Sequence, residues 1–320
     1  MTTLNRDDMS LHATLLSDRA RTIGFLRAIR KVVRHGDVVV EIGTGTGLLA
    51  MAAVRAGARH VYAIEGGPIG KVAAKIIETN EMANHITLIR GWSTNVRLPE
   101  KGDVLIAELI GHEPFGERLL GLTADAAKRL MKPGAIAIPA GIKVFALPVV
   151  LPKGERGKFL FDAAVVRNWE SEFGFDLSPL TTIPRRLERH LFDPFQLRSW
   201  KFLSPSILLF SVRCMDFHGE QLKTTRSAIA TRSGQLGGIA VYFELELIRK
   251  GNHKLSSHPA VVGRDSNWLN PVWLLRDPIS IRAGHRLSVS YGYRFASNAT
   301  TCQIDVSGAP PARLGPRRAR

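Results

Sequence analysis

An α/β fold, a parallel sheet covered by helices and followed by a C-terminal antiparallel β-barrel, is what the sequence predicts. Three observations predict it. Short apolar runs alternate with helical periodicity as far as about Pro139, which is how strand-helix-strand units with a doubly covered parallel sheet read. Glycines at 43, 45 and 47 follow the first such run and lead into a helix, as a turn that lets backbone approach a nucleotide must. Beyond Pro139 the chain changes to short alternating segments between polar turns, which suits an antiparallel barrel.

From Ser10 to Val33, Leu11, Leu15, Ile23, Leu26, Ile29 and Val33 recur at three- and four-residue steps. That spacing predicts one helix, closed by a His35-Gly36 cap. Asp37 to Glu41 reads as a buried strand, and Leu48 to Arg55 as the helix after the glycine turn. A strand at Val61 to Ile64, a helix at Pro68 to Asn80 and a strand at Ile86 to Ile89 continue the alternation. Val104 to Ala107 is a further strand, Phe115 to Leu130 a helix, and another strand follows Pro133-Gly134. In the second half, Ile207 to Val212, Ile239 to Ile248 and Leu287 to Tyr291 alternate as half-buried strands do. The expected organisation is an N-terminal helix over 1–34, a Rossmann-like nucleotide-binding domain over 35–140, a barrel over 141–308 and a basic disordered tail over 309–320.

Of 320 residues, 45% are hydrophobic and 22% charged, a globular balance. Cys214 and Cys302 stand far apart without metal-ligand spacing, so neither a zinc site nor a disulfide framework is expected, in keeping with a reducing cytoplasm. The most apolar stretch, Ala135 to Pro152, is interrupted by Pro139, Gly141, Lys143 and Pro148; successive strands fit it better than a membrane span. The formal net charge of +16 raises an anionic partner as a possibility and disfavours long-range attraction of a strongly basic one.

Glu41 ends the first strand two residues before Gly43, and Glu65 ends the second. An acid at the second position suits ribose hydroxyls, and Gly45, Gly47 and Ala50 also satisfy the relaxed dinucleotide fingerprint, so NAD is a rival ligand. Glu41 favours S-adenosylmethionine, because a carboxylate there holds an ammonium and repels a pyrophosphate. The decapeptide Glu108 to Glu117, ELIGHEPFGE, leaves the strand at Val104 to Ala107 with three acids, Glu108, Glu113 and Glu117. Loops leaving the carboxyl ends of parallel strands meet ligands, and a planar guanidinium satisfies two facing carboxylates. Solvated loop acids near a helix start are the plain alternative.

Taken together, these segments resemble the protein arginine methyltransferase family from about His12 to Tyr291. His12 to Leu16 and Arg21-Thr22 look like its substrate-covering helix, Glu41 to Gly47 its cofactor loop, and Glu108 and Glu117 its paired catalytic glutamates. Asn168-Trp169 through Ser178 and Ser266-Asn267-Trp268 fall at recognisable positions in its barrel. The resemblance implies S-adenosylmethionine as cofactor, with Arg21 on its carboxylate, Glu65 on its ribose and Thr94 near the adenine, where many members carry an acid. Ser266-Asn267-Trp268 stands in place of the family's Thr-His-Trp. Leu15 and Leu119 replace methionines of dimethylating members, and Glu113 inside the loop is similar to the monomethylating branch.

The expected reaction is methyl transfer to a guanidino nitrogen, giving the monomethylated product, with Glu108 and Glu117 orienting the guanidinium. His12, Glu113, Asn267 and Trp268 are secondary substrate contacts, with Trp268 read as barrel core before substrate wall, and His112 as a surface residue before a proton relay. The positive charge favours free L-arginine over an arginine in a protein. A homodimer is implied, with Thr181 to Phe195, carrying Arg185, Arg186 and Arg189, as its arm or as a solvated face. A nucleic-acid methyltransferase and a non-catalytic binding protein are the rival classes.

Overall fold

The protein, a computed structural model, is described over residues 9–152, 154–159, 163–182, 187–249 and 251–308. The tail 309–320 and the first eight residues of the expected N-terminal segment lie outside the described residues. Where periodicity predicts one N-terminal helix there are two, α1 (Met9–Ser17) and α2 (Arg19–Val32). Asp18 breaks them: its side chain accepts the Arg21 N–H at 3.0 Å. An Asp that caps one helix cannot continue the helix before it.

The parallel unit runs β1 (Val38–Ile42), α3 (Leu48–Arg55), β2 (His60–Glu65), α4 (Gly70–Thr79), β3 (Ile86–Arg90), β4 (Gly102–Ala107), α5 (Leu119–Arg129) and β5 (Met131–Ile138). The strands lie in the order β3-β2-β1-β4-β5. Strand β5 passes through Pro133-Gly134 instead of starting after it; an edge strand tolerates the missing proline N–H. Helix α5 starts at Leu119, four residues later than the pattern predicts. The Gly116 and Arg118 amides are used in turns to the carbonyls of Glu113 and Phe115, and Arg118 adopts a left-handed φ of +63°. The acidic segment is therefore a folded loop.

The second half continues with β6 (Gly141–Val150), α6 (Arg156–Phe159), α7 (Ala163–Phe173), β7 (Leu187–Phe192), α8 (Pro194–Leu197), β8 (Lys201–Phe202) and β9 (Ile207–Arg213). It ends with β10 (Gln221–Ile229), β11 (Gly234–Glu246), β12 (Lys254–Ser256), β13 (Asn270–Ile281), β14 (Arg286–Arg294) and β15 (Ala299–Ser307). One antiparallel sheet has the order β7-β13-β11-β6-β8, with β12 added to β11 and β9 to β6; β10-β14-β15 form another. The architecture is thus a Rossmann-like sheet followed by a barrel-like antiparallel region. Two details depart from expectation. Asn168 to Ser178 lies in α7 and the turn after it rather than in a barrel strand. Leu187–Phe192 pairs with β13, so this part of the expected dimer arm is sheet, while Arg185 and Arg186 lie outside the described residues.

Phe25 and Ile29 of α2, Val39, Ile106, Phe115, Val144, Phe243 and Tyr291 belong to one buried cluster. The N-terminal helix, the parallel sheet and the antiparallel strands therefore share a core, and the acidic loop is anchored in it through Phe115. On the opposite face of the parallel sheet, Val40, Ile42 and Leu105 pack with Ala126 and Leu130 around α5. With both faces of β1 and β4 buried, function is left to their ends.

Candidate active site

Parallel register aligns Ile42 with Ile64 on one side and with Ala107 on the other. The next residues, Gly43, Glu65 and Glu108, therefore leave three neighbouring strands at the same end. The sheet order reverses direction between β1 and β4, and such switch points open the crevice where open α/β sheets take ligands.

Gly43, Gly45 and Gly47 have φ of +73°, +56° and +82°, a region that strains any residue with a Cβ. At Gly43 a Cβ would also stand 2.7 Å from Leu109 Cδ2 of the acidic loop. Glu65 braces this turn: Oε2 accepts from the Gly45 N–H at 2.8 Å, and Oε1 from the Gly67 N–H at 2.6 Å. The His12 ring covers Gly45, 3.6 Å from where its Cβ would be. Its Nε2 is buried without a hydrogen-bond partner, and burial holds the ring below its usual pKa, with Glu65 opposing. Glu41 is 1% exposed and accepts from the Thr44 hydroxyl; burial raises its pKa to about 8, the Thr44 hydrogen bond opposing. Thr94 stands on an exposed turn after β3, its hydroxyl donating to Asn95 Oδ1 at 3.3 Å.

In the acidic loop, Glu108 Oε2 accepts from Arg21 Nη2, with both side chains largely buried. Oε1 of Glu108 is buried and has no partner. Burial pushes its pKa to about 7; Arg21 opposes that shift, and Glu117 and Asp18 add to it. Arg21, expected on the cofactor, and Glu108, expected on the substrate, are thus direct partners. Glu117 lies under Gly111, where a Cβ would meet its Oε1 at 3.0 Å. Glu113 is turned to the antiparallel strands, with Oε2 accepting from Arg189 Nη1 at 2.7 Å and Oε1 from the Tyr291 hydroxyl at 2.6 Å.

Three successive residues before β13 fasten this assembly. The Asn267 N–H donates to Asp18 Oδ2 at 3.1 Å. Trp268 donates from Nε1 to the Ile110 carbonyl at 3.2 Å, and the Leu269 N–H donates to His112 Nδ1 at 3.1 Å. His112 is therefore tied to the barrel side and held below its usual pKa by burial. Trp268 is 4% exposed, edge-on to Phe243 at 5.0 Å, with the Arg21 guanidinium 6.0 Å from its ring centre. Position 267 contributes its backbone N–H here, which the change from His to Asn leaves intact.

Sequence reasoning missed Asp18, Arg189 and Tyr291. An Asp three residues before Arg21 is an N-cap signal. No local signal announces the other two, which lie 76 and 178 residues from Glu113.

The buried Glu41, the glycine cradle and the carboxylate of Glu65 fit a nucleoside ligand that carries an ammonium group. The family model described as ribosomal protein L11 methyltransferase (PrmA) matches residues 19–169. An arginine N(omega)-methyltransferase of Streptomyces achromogenes subsp. streptozoticus is 29% identical, covering 88% of this chain and 75% of the relative. Protein arginine N-methyltransferase 8-B of Danio rerio is 25% identical over 93% of this chain and 71% of its own. Among solved structures, the Trypanosoma brucei PRMT1 enzyme-prozyme heterotetrameric complex with AdoHcy superposes with a TM-score of 0.75 at 19% identity, covering 95% of this chain and 99% of that one.

Proposed function

We propose that this chain, which is similar in sequence and fold to the protein arginine methyltransferases, is an S-adenosylmethionine-dependent enzyme that methylates a guanidino nitrogen. The observation that carries this reading is Glu108: a buried carboxylate that already holds one guanidinium, Arg21, through Oε2 and keeps Oε1 without a partner beside the glycine turn. When bound, S-adenosylmethionine supplies an electrophilic methyl group on its sulfonium. Glu41 would hold its ammonium, Glu65 its ribose hydroxyls, Arg21 its carboxylate, and the turn of Gly43, Gly45 and Gly47 would let backbone lie against it. His12 covers that turn, and Thr94 would face the adenine.

A free guanidinium stays protonated at neutral pH and is a poor nucleophile. Glu108 and Glu117 would orient it and draw its positive charge away from the attacking nitrogen. Positioning of this kind in a water-poor site contributes up to roughly 7–11 kcal/mol. Asn267 and Trp268 support the site from the barrel side, and Trp268 acts through its bond to Ile110.

Free L-arginine is our preferred substrate, and monomethylarginine our preferred product. A +16 chain repels arginine-rich tails at long range, Leu15 and Leu119 occupy the methionine positions of dimethylating members, and the relative from Streptomyces bears the name arginine N(omega)-methyltransferase. The second reading is an arginine within a protein, after the names of the protein arginine methyltransferases among the relatives. Labelled S-adenosylmethionine offered with free arginine and with arginine peptides decides between them. We expect label in a monomethylated amino acid, abolished by Glu108→Gln; no transfer to any guanidino compound, with the cofactor still bound, would refute the reading. We also propose a homodimer and a cytoplasmic setting, the latter on two cysteines that remain free thiols. No helix among the described residues is long and apolar enough to cross a membrane.

A further inference from the structure

We propose that Trp92 is the surface on which the base of the cofactor stacks, so that the site holds a purine by its ring face and not by its amino edge. The inference rests on the methyltransferase reading above. Parallel register carries the crevice end of the sheet one strand beyond Glu65: Ile64 is aligned with Ile89, and Glu65 with Arg90. The Gly91 N–H then donates to the Glu65 carbonyl at 2.9 Å. Trp92 therefore leaves the sheet at the same end as Gly43, Glu65 and Glu108, next to the residue assigned to the ribose. It is 61% exposed, yet its ring is held in place. A Cβ on Gly66 would stand 3.1 Å from Trp92 Cε3 and 3.2 Å from Cδ2, so the glycine after Glu65 lets the indole lie close to the backbone.

Both sides of this contact are braced. Glu65 Oε1 accepts from the Gly67 N–H, and Arg90 Nη2 donates to the Gly67 carbonyl at 2.9 Å. Behind Trp92, Arg129 donates to the carbonyls of Ser93 and Val96, each at 2.8 Å. In a nucleoside the carbon that bears the base is bonded to the carbon that bears the 2′-hydroxyl, so a base whose ribose is held by Glu65 begins beside Gly66 and its indole neighbour. An aromatic face fixed there and open to solvent is a stacking platform. The polar alternative is missing from the turn that follows. Ser93–Asn95 carries no carboxylate, and the Thr94 hydroxyl donates to Asn95 Oδ1 at 3.3 Å. A carboxylate at that turn would select adenine by accepting from its amino group, whereas a stacking face tolerates other bases because each has a π-face.

The test titrates the full chain with S-adenosylhomocysteine and with S-inosylhomocysteine, in which a carbonyl replaces the amino group, reading Kd by calorimetry and tryptophan fluorescence beside it. The wild type should bind the two within about threefold, less than the roughly tenfold or more that a lost hydrogen bond to a carboxylate costs. Trp92→Ala should weaken both by about tenfold, the size of one stacked base. Trp92→Phe should keep most of the affinity while removing the part of the fluorescence change that arises at position 92. Thr94→Glu should create a preference for the adenine compound. If the fluorescence change is the same in the wild type and in Trp92→Phe, the ring does not meet the base and the proposal is overturned. An unchanged Kd in Trp92→Ala, or a wild-type preference for adenine of about a hundredfold, also overturns it. In each of these cases the nucleoside still binds and the methyltransferase reading stands. A wild type that binds neither compound overturns both.

Discussion

Glu41 and Glu108 are both buried carboxylates, and their burial sets a pH dependence of known sign. Their folded pKa values, about 8 and about 7, lie above the ordinary 4.5 of a glutamate. The stability they contribute is therefore fully present below pH 4.5 and is lost as pH rises through 7 and 8, because ionising them in the fold costs desolvation. For the chain without cofactor, Glu41→Gln should flatten the fall in melting temperature between pH 6 and 9. A variant that melts in parallel with the wild type across that range would place the ionisation elsewhere. Catalysis runs the other way, since a carboxylate must be ionised to hold a guanidinium, so kcat/KM should climb through about pH 7. Both residues were legible in the sequence as acids ending strands; their pKa shifts were not, because desolvation comes from neighbours far along the chain.

At the scale of elements, the break between α1 and α2 matters most. The Asp18 carboxylate, 1% exposed, caps α2 and receives the Asn267 N–H from 249 residues away. It thereby ties the helix carrying Arg21 to the segment that holds the acidic loop through Trp268. Asp18→Ala loses a cap and leaves that half-buried N–H without its acceptor, at a cost of about 1–3 kcal/mol. Urea unfolding measures it; a loss below a few tenths would mean that the helix-to-barrel tie carries no load. Strands β1 to β4 and helices α3 and α4 were readable because apolar run and helical period are local properties. The late start of α5 was not, since its first turn is displaced by turns folded around Phe115 and Glu113. Helix α7 escaped because only Val166 among its described side chains is buried, so no apolar face marks it.

For the whole molecule, the homodimer proposed above predicts which surfaces meet. After β6 the chain makes a helical excursion whose tip, Glu172-Phe173-Gly174-Phe175-Asp176, leaves Phe173 53% and Phe175 71% exposed. Between α2 and α3 lies a cleft of about 690 Å³ with Ile23, Leu26 and Met51 among arginines 27, 30 and 55. An acidic, aromatic tip complements a basic, apolar cleft, and in a closed two-fold pair each copy offers both. The chain should sediment as a dimer, and Phe175→Glu should shift it towards monomer; a monomeric wild type would end the homodimer reading. By itself the sequence determined the strand-helix order from β1 to β4, the glycine turn, and the acids at the ends of β1, β2 and the acidic loop, because each is written in neighbouring residues. Only the tertiary structure decided that Arg21 meets Glu108, that Glu113 is taken by Arg189 and Tyr291, and that Asp18 joins the two halves. Those contacts bring together residues 76 to 249 positions apart, and pairings at such separations are set by how the sheets pack, which no local pattern records.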